Sequence, residues 1–306
     1  MGQEEHAIAQ ALRLHGRAPA ARLARTAGLS IAKFRHRYGQ LKSHGLLRTV
    51  TLVDPSALGR PVLASALLRT DSRGTAVAER LSRTPNICWV RRSSDERTVA
   101  IQLSTAGNVE LARVVKDAII SDPDVTGFST AIVLRSWAPH FAFDYEHIAV
   151  QSAPDLQWYP GNRSVASLDA LDLDLLECLT VDAQMSLTDM SKVIGLSVAG
   201  TRHRLIRLMD SQTIHFRTRP DPHRDDVTTI RVEAAVSRDV ADLAEELVNM
   251  PNVVYVSELT GARQLCVELV CANEPQISEG YARMASVQGI HDTHMLRLKT
   301  VDGKST

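Results

Sequence analysis

Gly195-Leu196-Ser197, followed by residues 198 to 210, decides the fold because it predicts a tight turn, a helix N-cap and an arginine-rich helix. Glycine permits the sharp reversal between two helices, and serine at the N-cap accepts a hydrogen bond from the first helical turn. The pattern recurs at Gly28-Leu29-Ser30, and His36 and His203 occupy matching places 167 residues apart. The sequence therefore predicts two helix-turn-helix units in one chain.

The second helix of each unit has an apolar side and a polar side. On the polar side, small residues near the helix start lie beside arginine and histidine, which suits contact with DNA bases and phosphates. The candidate DNA-binding residues are Ala32, Lys33, Arg35, His36, Arg37 and Gln40 in the first unit, and Ala199, Gly200, Arg202, His203, Arg204 and Arg207 in the second. The alternative for one unit alone is a solvated arginine face on an ordinary helical hairpin.

Charge is unevenly distributed, although 35 basic and 35 acidic residues give the chain a formal net charge of zero. Residues 1 to 60 contain ten Lys or Arg against three Asp or Glu, a net charge of +7. A basic block around a helix-turn-helix is expected where a protein contacts DNA. The sequence thus predicts double-stranded DNA as a partner.

The cysteines and the hydropathy pattern exclude several classes of protein. Cys88, Cys178, Cys266 and Cys271 have neither metal-ligand spacing nor a disulfide-rich context, so we expect reduced thiols in cores. No apolar run reaches the length of a membrane span, and the first residues lack the basic start of a signal sequence. We expect a cytoplasmic protein with no membrane partner, no metal site and no cofactor.

Each helical unit is followed by the pattern of a βαββαβ module. That order is typical of the ferredoxin-like fold, in which two helices cover one face of an antiparallel sheet. The predicted elements span residues 61–70, 75–83, 87–92, 98–104, 108–120 and 128–137 in the first module, and 227–236, 240–250, 253–259, 264–270, 275–287 and 291–299 in the second. The predicted fold class is α+β.

Five segments follow from these patterns. They are a first helix-turn-helix domain (1–60), a first sheet domain (61–137), a linker (138–167), a second helix-turn-helix domain (168–222) and a second sheet domain (223–306). The linker and its margin hold six of the thirteen aromatic residues, whereas a free linker is poor in them. We expect the linker to dock on the sheets, the alternative being that its aromatic residues line a ligand pocket.

A helix-turn-helix, an extended wing containing Asp54-Pro55 and Leu58-Gly59, and a βαββαβ module together resemble the Lrp/AsnC family of bacterial transcriptional regulators. The resemblance covers both halves of the chain. It implies two winged helix-turn-helix domains that bind DNA and two sheet domains of the RAM type that bind a small effector, such as an amino acid, and form homo-oligomers. The two sheet domains of one chain could pair with each other, or equivalent domains of different chains could pair.

The family's effector loop often contains Thr-Gly, two further residues and Asp between the second and third strands of the sheet. The second copy has Thr260-Gly261 with Gln264 in place of Asp, and the first copy has Arg97 in the corresponding loop. The candidate effector-binding residues are therefore Arg97, Thr260, Gly261 and Gln264. Glutamine keeps the hydrogen-bonding capacity of aspartate and loses its charge, so an ordinary hairpin turn without a ligand is the alternative.

Two other functions remain open at this stage. Siroheme decarboxylases share this plan, but the places of their histidine-containing cluster, residues 88–91 and 254–257, contain no histidine here. His291 and His294 are three residues apart on a predicted strand, which predicts opposite faces. We therefore expect no enzymatic activity, and the third possibility is a metabolite sensor that does not bind DNA.

Overall fold

The structure is a computed structural model that describes residues 3–15, 17–137, 157–159, 167–219, 227–250 and 252–305. Elements of the first half are α1 (Gln3–His15), α2 (Ala20–Thr26), α3 (Ile31–Ser43), β1 (Arg48–Val53), β2 (Val62–Thr70), α4 (Gly74–Ser82), β3 (Ile87–Ser93), β4 (Thr98–Thr105), α5 (Asn108–Val114) and β5 (Val125–Trp137). A 3-10 turn, Pro55–Leu58, follows β1, and α5 continues as the π-helix Val115–Ile120.

The second half repeats this order after one short strand. Its elements are β6 (Gln157–Tyr159), α6 (Ala170–Val181), α7 (Leu187–Ile194), α8 (Val198–Asp210), β7 (Ile214–Arg219), β8 (Thr228–Val236), α9 (Val240–Leu247), β9 (Val253–Leu259), β10 (Leu265–Cys271), α10 (Glu274–Ala285) and β11 (Ile290–Ser305). The predicted order of three helices, a strand and βαββαβ is thus present twice.

Backbone angles show that the two copies are structural equivalents. Gly28 and Gly195 end the helices before the turns with φ of +66° and +69°. Asn86 and Asn252, which open β3 and β9, both have positive φ, at 70° and 66°. Since few residues other than glycine and asparagine adopt this conformation readily, the matched positions retain a shared backbone path.

The chain divides into two compact units that do not follow the sequence halves. One unit contains both three-helix sets with β1 and β7, and the other contains both sheet modules and β6. We call β2–β5 with α4 and α5 the first sheet module, and β8–β11 with α9 and α10 the second. No helix in the described ranges is long and apolar enough to span a bilayer.

In the helical unit, the two segments expected to form wings pair with each other. Strands β1 and β7 form an antiparallel two-stranded sheet, with Val53 opposite Ile214 at one end of the ladder. Side chains add to this contact, because the Thr49 and Thr218 hydroxyls lie 2.9 Å apart and the Thr51 hydroxyl donates to the Leu179 carbonyl at 3.0 Å. The ladder therefore joins the first helical set to the second.

In the other unit, the two sheet modules share one sheet. Its strand order is β2-β4-β3-β11-β8-β10-β9-β5-β6, and β2 also pairs with β5, so that eight of the described strands form a closed ring. The last strand of each module is long enough to serve both. Strand β5 pairs with β2 and then with β9, and β11 pairs with β8 and then with β3. The sheet modules thus pair within the chain.

Each sheet module has an apolar core between its own helices and one face of the sheet, and this core also receives the end of the other module's strand. Ala64, Ala66 and Leu68 of β2 face the first core, where Val301 of β11 packs. Trp137 at the end of β5 is 5% exposed and belongs to the second core, beside Val256 and Leu265. The strand exchange is therefore fixed by side-chain burial as well as by backbone hydrogen bonds.

The opposite faces of the two modules enclose polar groups. Arg231 of β8 is 1% exposed and donates to the Ser65 hydroxyl of the first module at 2.7 Å. Glu268 of β10 forms an ion pair with Arg91 of the first module, with an N···O distance of 2.7 Å. Burial by itself would raise the pKa of Glu268, but Arg91 and Arg231 outweigh that effect and hold the pKa below its ordinary value of 4.5. The inside of the ring is therefore ionic and compensated.

Other sequence expectations have mixed outcomes. All four cysteines are free thiols, with Cys88 half-buried and the other three buried. Within the predicted linker, residues 157–159 pair with the end of β5, whereas Phe141, Phe143 and Tyr145 lie outside the described residues. The sequence pattern predicts that the last strand of the second module ends at residue 299. It continues to residue 305, and its pairing with β3, which begins opposite Ser93 at Leu298, runs on into this added length.

Replacement of Trp137 tests the strand exchange. Trp137→Ala leaves a cavity in the core of the second sheet module, so we expect the free energy of unfolding to fall by about 3 kcal/mol or more. Phe128→Ala on the same strand is the control, because Phe128 is 42% exposed and its loss should cost less than about 1 kcal/mol. Urea unfolding measures both, and equal losses would contradict burial of Trp137 in the second core.

Candidate nucleic-acid interface

The helices predicted to contact DNA, α3 and α8, begin in the same way. The Ser30 hydroxyl accepts the Lys33 amide at 3.2 Å, and the Ser197 hydroxyl accepts the Gly200 amide at 3.1 Å. Both serines have extended backbone angles with φ of −67°, as expected at an N-cap. The first turn of each helix therefore presents its remaining amides and its small residues in the same geometry.

Most of the predicted DNA-binding side chains lie at the surface. Arg35 and His36 on α3 and their counterparts Arg202 and His203 on α8 are exposed. Ala32, Lys33 and Ala199 are exposed as well, whereas Arg37, Gln40, Gly200, Arg204 and Arg207 are half-buried. The cores lie on the other side of each helix, with Phe34 and Leu41 buried in one and Leu205 and Leu208 in the other. The two helices thus expose an equivalent Arg-His pair.

In the second copy, two of the predicted DNA-binding arginines form ion pairs with acidic side chains at the start of α6. Arg204 lies 2.8 Å from Asp169 and 2.9 Å from Asp172, and Arg207 forms an ion pair with Asp172. Asp172 is fully buried. A buried carboxylate requires compensation, so the two arginines stabilise the second helical set whether or not DNA is bound.

The pKa of Asp172 shows how tightly this carboxylate is held as an anion. Burial would raise the pKa, but hydrogen bonds from Arg207, the Asp169 backbone and Arg204 outweigh burial and lower the pKa from its ordinary value of 3.8. Asp169 and Asp172 also form a reciprocal capping box at the start of α6. Asp172 therefore neutralises part of the positive charge beside α8.

The first copy holds its basic residues by a more exposed contact. Glu4 of α1 forms an ion pair with Lys33 and lies 3.6 Å from Arg37. The side chains of Lys33, Arg37 and Glu4 are 50%, 43% and 37% exposed. Exposed ion pairs contribute little to stability and rearrange easily, so Lys33 and Arg37 remain available to phosphate groups.

Sequence patterns missed this difference between the two copies. Asp169 and Asp172 have the spacing of a capping box, which could have been recognised from the sequence. No local pattern, however, relates Asp172 to Arg204 and Arg207, which follow it by 32 and 35 residues. The pairing depends on how α6 packs against α8.

The predicted effector-binding residues Thr260, Gly261 and Gln264 are engaged in hydrogen bonds within the sheet unit. The Thr260 hydroxyl accepts the Ile132 amide at 2.9 Å, and the Thr260 amide donates to the Ile132 carbonyl at 2.9 Å. The Gln264 side chain accepts the Val236 amide at 3.3 Å and donates to the Gly261 carbonyl at 3.1 Å. These groups hold the turn between β9 and β10 and attach it to β5.

The loop of the first copy has a different internal arrangement. Asp95 accepts the Arg97 amide at 3.1 Å and the Ser93 hydroxyl at 2.5 Å. The Ser93 hydrogen bond, followed by the Arg97 amide, lowers the pKa of Asp95 from its ordinary value of 3.8. The Arg97 side chain is exposed. Arg97 and the Thr260–Gln264 turn therefore offer unlike chemistry.

The prediction that His291 and His294 point to opposite faces is wrong. Strand β11 has a register shift between them, so that His291 pairs with Ala235 and His294 with Glu233. Ala235 and Glu233 are two residues apart and share a face, and opposed residues of paired strands share that face too. Asp292, with φ of 46°, lies within the shift and breaks the alternation. Both histidines are exposed on one side of the sheet.

Each half of the chain contains a tight turn, a serine-capped helix that exposes arginine, and a βαββαβ module. These features define a helix-turn-helix protein with ferredoxin-like sheets. Residues 168–209 match the AsnC-type helix-turn-helix domain. The chain is similar to the HTH-type transcriptional regulator FL11 of Pyrococcus furiosus, with 25% identity over 142 residues that cover 45% of this chain and 94% of the relative. The predicted resemblance to Lrp/AsnC regulators is thereby confirmed.

Two solved structures resemble nearly the whole chain. The siroheme decarboxylase NirDL has a TM-score of 0.61 and 13% identity, with 99% of this chain and 93% of that chain covered. Its co-complex with an iron-uroporphyrin III analogue has a TM-score of 0.58 and 10% identity, with 95% and 88% covered. At such low identity the likeness extends to the tandem α+β fold alone.

The buried carboxylate in the second helical set gives a stability test. Asp172→Asn removes the charge that Arg204 and Arg207 share, so we expect the free energy of unfolding to fall by about 1 to 3 kcal/mol. Asp174→Asn on the same helix is the matched control, since Asp174 is exposed, and should change it by less than about 0.5 kcal/mol. Denaturant unfolding followed by circular dichroism compares them, and indistinguishable midpoints would refute a stabilising role for Asp172.

Proposed function

We propose that this protein is a sequence-specific DNA-binding transcriptional regulator of the Lrp/AsnC type, built from two winged helix-turn-helix domains and two RAM-type sheet domains in one chain. The observation that carries the proposal is the exposed Arg-His pair found at the same place on two equally capped helices, Arg35-His36 and Arg202-His203. Arginine near the start of such a helix can contact phosphates and guanine edges.

The two DNA-contacting helices belong to one chain and are joined through the β1–β7 ladder. A single chain therefore carries two helix-turn-helix units, where a dimeric regulator uses one from each subunit. The helices differ at Lys33 against Gly200 and at Gln40 against Arg207. Lysine can donate to guanine O6 or N7 and glycine cannot, so the proposed operator is asymmetric.

The difference in ion pairing predicts how each copy contributes to DNA affinity. Arg35→Gln with Arg37→Gln removes two available cations, so the slope of log affinity against log salt should fall by about two units. Arg202→Gln with Arg204→Gln should lower the slope by about one unit, because Arg204 is held by Asp172. Titrations at several salt concentrations on a site located by genomic footprinting give both slopes.

Single variants provide the internal control for that experiment. Arg35→Gln and Arg202→Gln each remove one exposed arginine at an equivalent position and should change the slope equally, by about one unit. Circular dichroism under the titration conditions checks whether the variants that carry Arg204→Gln remain folded. Equal losses from the two double variants on a palindromic site would mean that the copies contact DNA alike, and the absence of any DNA binding would favour a metabolite sensor.

We extend the proposal to a small effector, such as an amino acid, bound near the Thr260–Gln264 turn. This turn is hydrogen-bonded to Ile132 of the first module, so it lies where the two sheet modules meet. The Gln264 amide already serves two backbone groups, and its neutral side chain provides no charge for an ammonium group. An effector at this turn would therefore differ from one recognised by an aspartate.

A second candidate is siroheme-decarboxylase-like activity, which the full-length likeness in fold to NirDL favours. The shared face of His291 and His294 adds a pair of potential proton donors that the sequence pattern had excluded. Both histidines are exposed, however, and general acid chemistry on a buried substrate needs the donor at the reacting atom. The regulator therefore remains the better supported function.

Thermal melting with added ligands decides between these functions. An amino-acid effector present at about 100 times its dissociation constant should raise the free energy of unfolding by roughly 2.7 kcal/mol, which is visible as a higher melting temperature. An iron-uroporphyrin III analogue should leave the melting temperature and its own absorption spectrum unchanged. Stabilisation by the iron porphyrin alone would favour the enzyme, and no shift with any amino acid at millimolar concentration would remove the effector from the proposal.

A further inference from the structure

Four buried or nearly buried charged residues inside the strand ring form one compensated network. Arg91 comes from the first sheet module, and Arg231, Glu233 and Glu268 come from the second. Glu268 lies 2.7 Å from Arg91 and 3.4 Å from Arg231, and Glu233 lies 2.8 Å from Arg231. Two positive and two negative side chains therefore neutralise one another away from solvent.

Strand register establishes which residues of the two modules are equivalent. Ser65 pairs with Gln102 in the first module, and Arg231 pairs with Glu268 in the second. Each of these pairs is separated from its counterpart by 166 residues, the same interval that separates Asn86 from Asn252. Ser65 thus corresponds to Arg231, and Gln102 corresponds to Glu268.

The remaining two charged residues also correspond to neutral ones. Arg91 pairs with Ala100 in the first module, where the second has Ser257 opposite Cys266. Glu233 lies 166 residues after Leu67. Every charged member of the network therefore has an uncharged counterpart in the other module.

This distribution makes only one pairing of modules neutral. Two first modules would enclose two copies of Arg91 and none of the network's carboxylates, with neutral Gln102 at the place where Glu268 forms its ion pair with Arg91. Two second modules would enclose two copies of Arg231 with four carboxylates, and the place of the Ser65 hydroxyl would be taken by Arg231 of the other copy. Burying an uncompensated charge greatly destabilises the folded state.

We propose that these four residues are a pairing code, by which the inner face of each sheet module accepts the unlike module and rejects a second copy of itself. The partner of the first module's inner face is the second module of this chain. Arg91–Glu268 and Arg231–Ser65 are the two contacts that join the modules through this code. Like-with-like association of inner faces between chains is excluded, so larger assemblies must use other surfaces.

Complementary charge reversal in full-length chains tests the code. Arg91→Glu places a second carboxylate beside Glu268, and Glu268→Arg places a third guanidinium group beside Arg91 and Arg231. Each variant alone should therefore show an unfolding equilibrium constant raised on the order of 100-fold. When the two variant chains are refolded together, the first module of each chain can pair with the second module of the other chain. The resulting 1:1 dimer contains one native Arg91–Glu268 pair and one reversed pair. We expect native mass spectrometry to show this heterodimer, with a melting temperature above that of either variant alone.

A charge reversal outside the ring is the matched control. Arg297 and Glu274 form an exposed bidentate ion pair within the second module, at 2.6 and 2.9 Å. Chains with Arg297→Glu and Glu274→Arg, refolded together, should remain separate and should melt like the unaltered protein. Wild-type melting of the Arg91→Glu and Glu268→Arg chains, or folded variant chains whose mixture forms no heterodimer, would overturn the code.

A neutral double-mutant cycle keeps the test decisive if the reversed chains do not fold. Arg91→Met and Glu268→Gln are each expected to lower the melting temperature by leaving a buried partner uncompensated. The double variant should lose less than the sum of the two single losses, because neither charge then remains without the other. Strictly additive losses would show that Arg91 and Glu268 are not coupled, and the proposal would fail.

Discussion

Pairing between the two sheet modules is the interaction on which the rest of the structure depends. A lone βαββαβ module covers one face of its sheet with helices and leaves the other face and the ends of its last strand without partners. In this protein β5 extends to β9 and β11 extends to β3, so each module completes the other. The inner faces then meet through a small apolar cluster, Leu63, Val133, Leu259 and Cys266, and through the network around Arg231.

Because the helical set and the sheet module each occur twice in one chain, the two copies can differ in sequence, whereas two identical subunits cannot. The helical sets use this freedom in their ion pairs, since Asp172 holds Arg204 and Arg207 whereas Glu4 makes exposed contacts with Lys33 and Arg37. The sheet modules use this freedom on their inner faces, where each charged residue of the network has an uncharged residue at the equivalent position of the other module. Asymmetry in the helical unit is the basis of the proposed asymmetric DNA site, and asymmetry in the sheet unit is the basis of the proposed pairing code.

Similarity in fold and similarity in sequence relate this chain to different proteins. A tandem enzyme shares the whole architecture at 13% identity, whereas the AsnC-type domain match and the regulator FL11 share sequence with parts of the chain. Folds of this kind serve more than one function, so the side chains at the site have to decide. The exposed Arg35-His36 and Arg202-His203 pairs favour DNA, and the hydrogen bonds of Gln264 disfavour an ammonium-binding site at that turn.

The sequence by itself determined the helices, the strands, their duplicated order and the exposed side of α3 and α8, because caps, turns and hydrophobic periodicity are set by neighbours along the chain. Tertiary structure alone decided the pairing of Arg204 with Asp172, the exchange of strand ends and the ion pairs between the sheet modules. These contacts join residues that are distant in the sequence, such as Asp172 and Arg204, 32 positions apart, and Ser65 and Arg231, 166 positions apart. The shared face of His291 and His294 depended on a bulge, which interrupts the alternation that sequence spacing assumes. Local sequence patterns predict the helices and strands, whereas tertiary packing determines which of them are in contact.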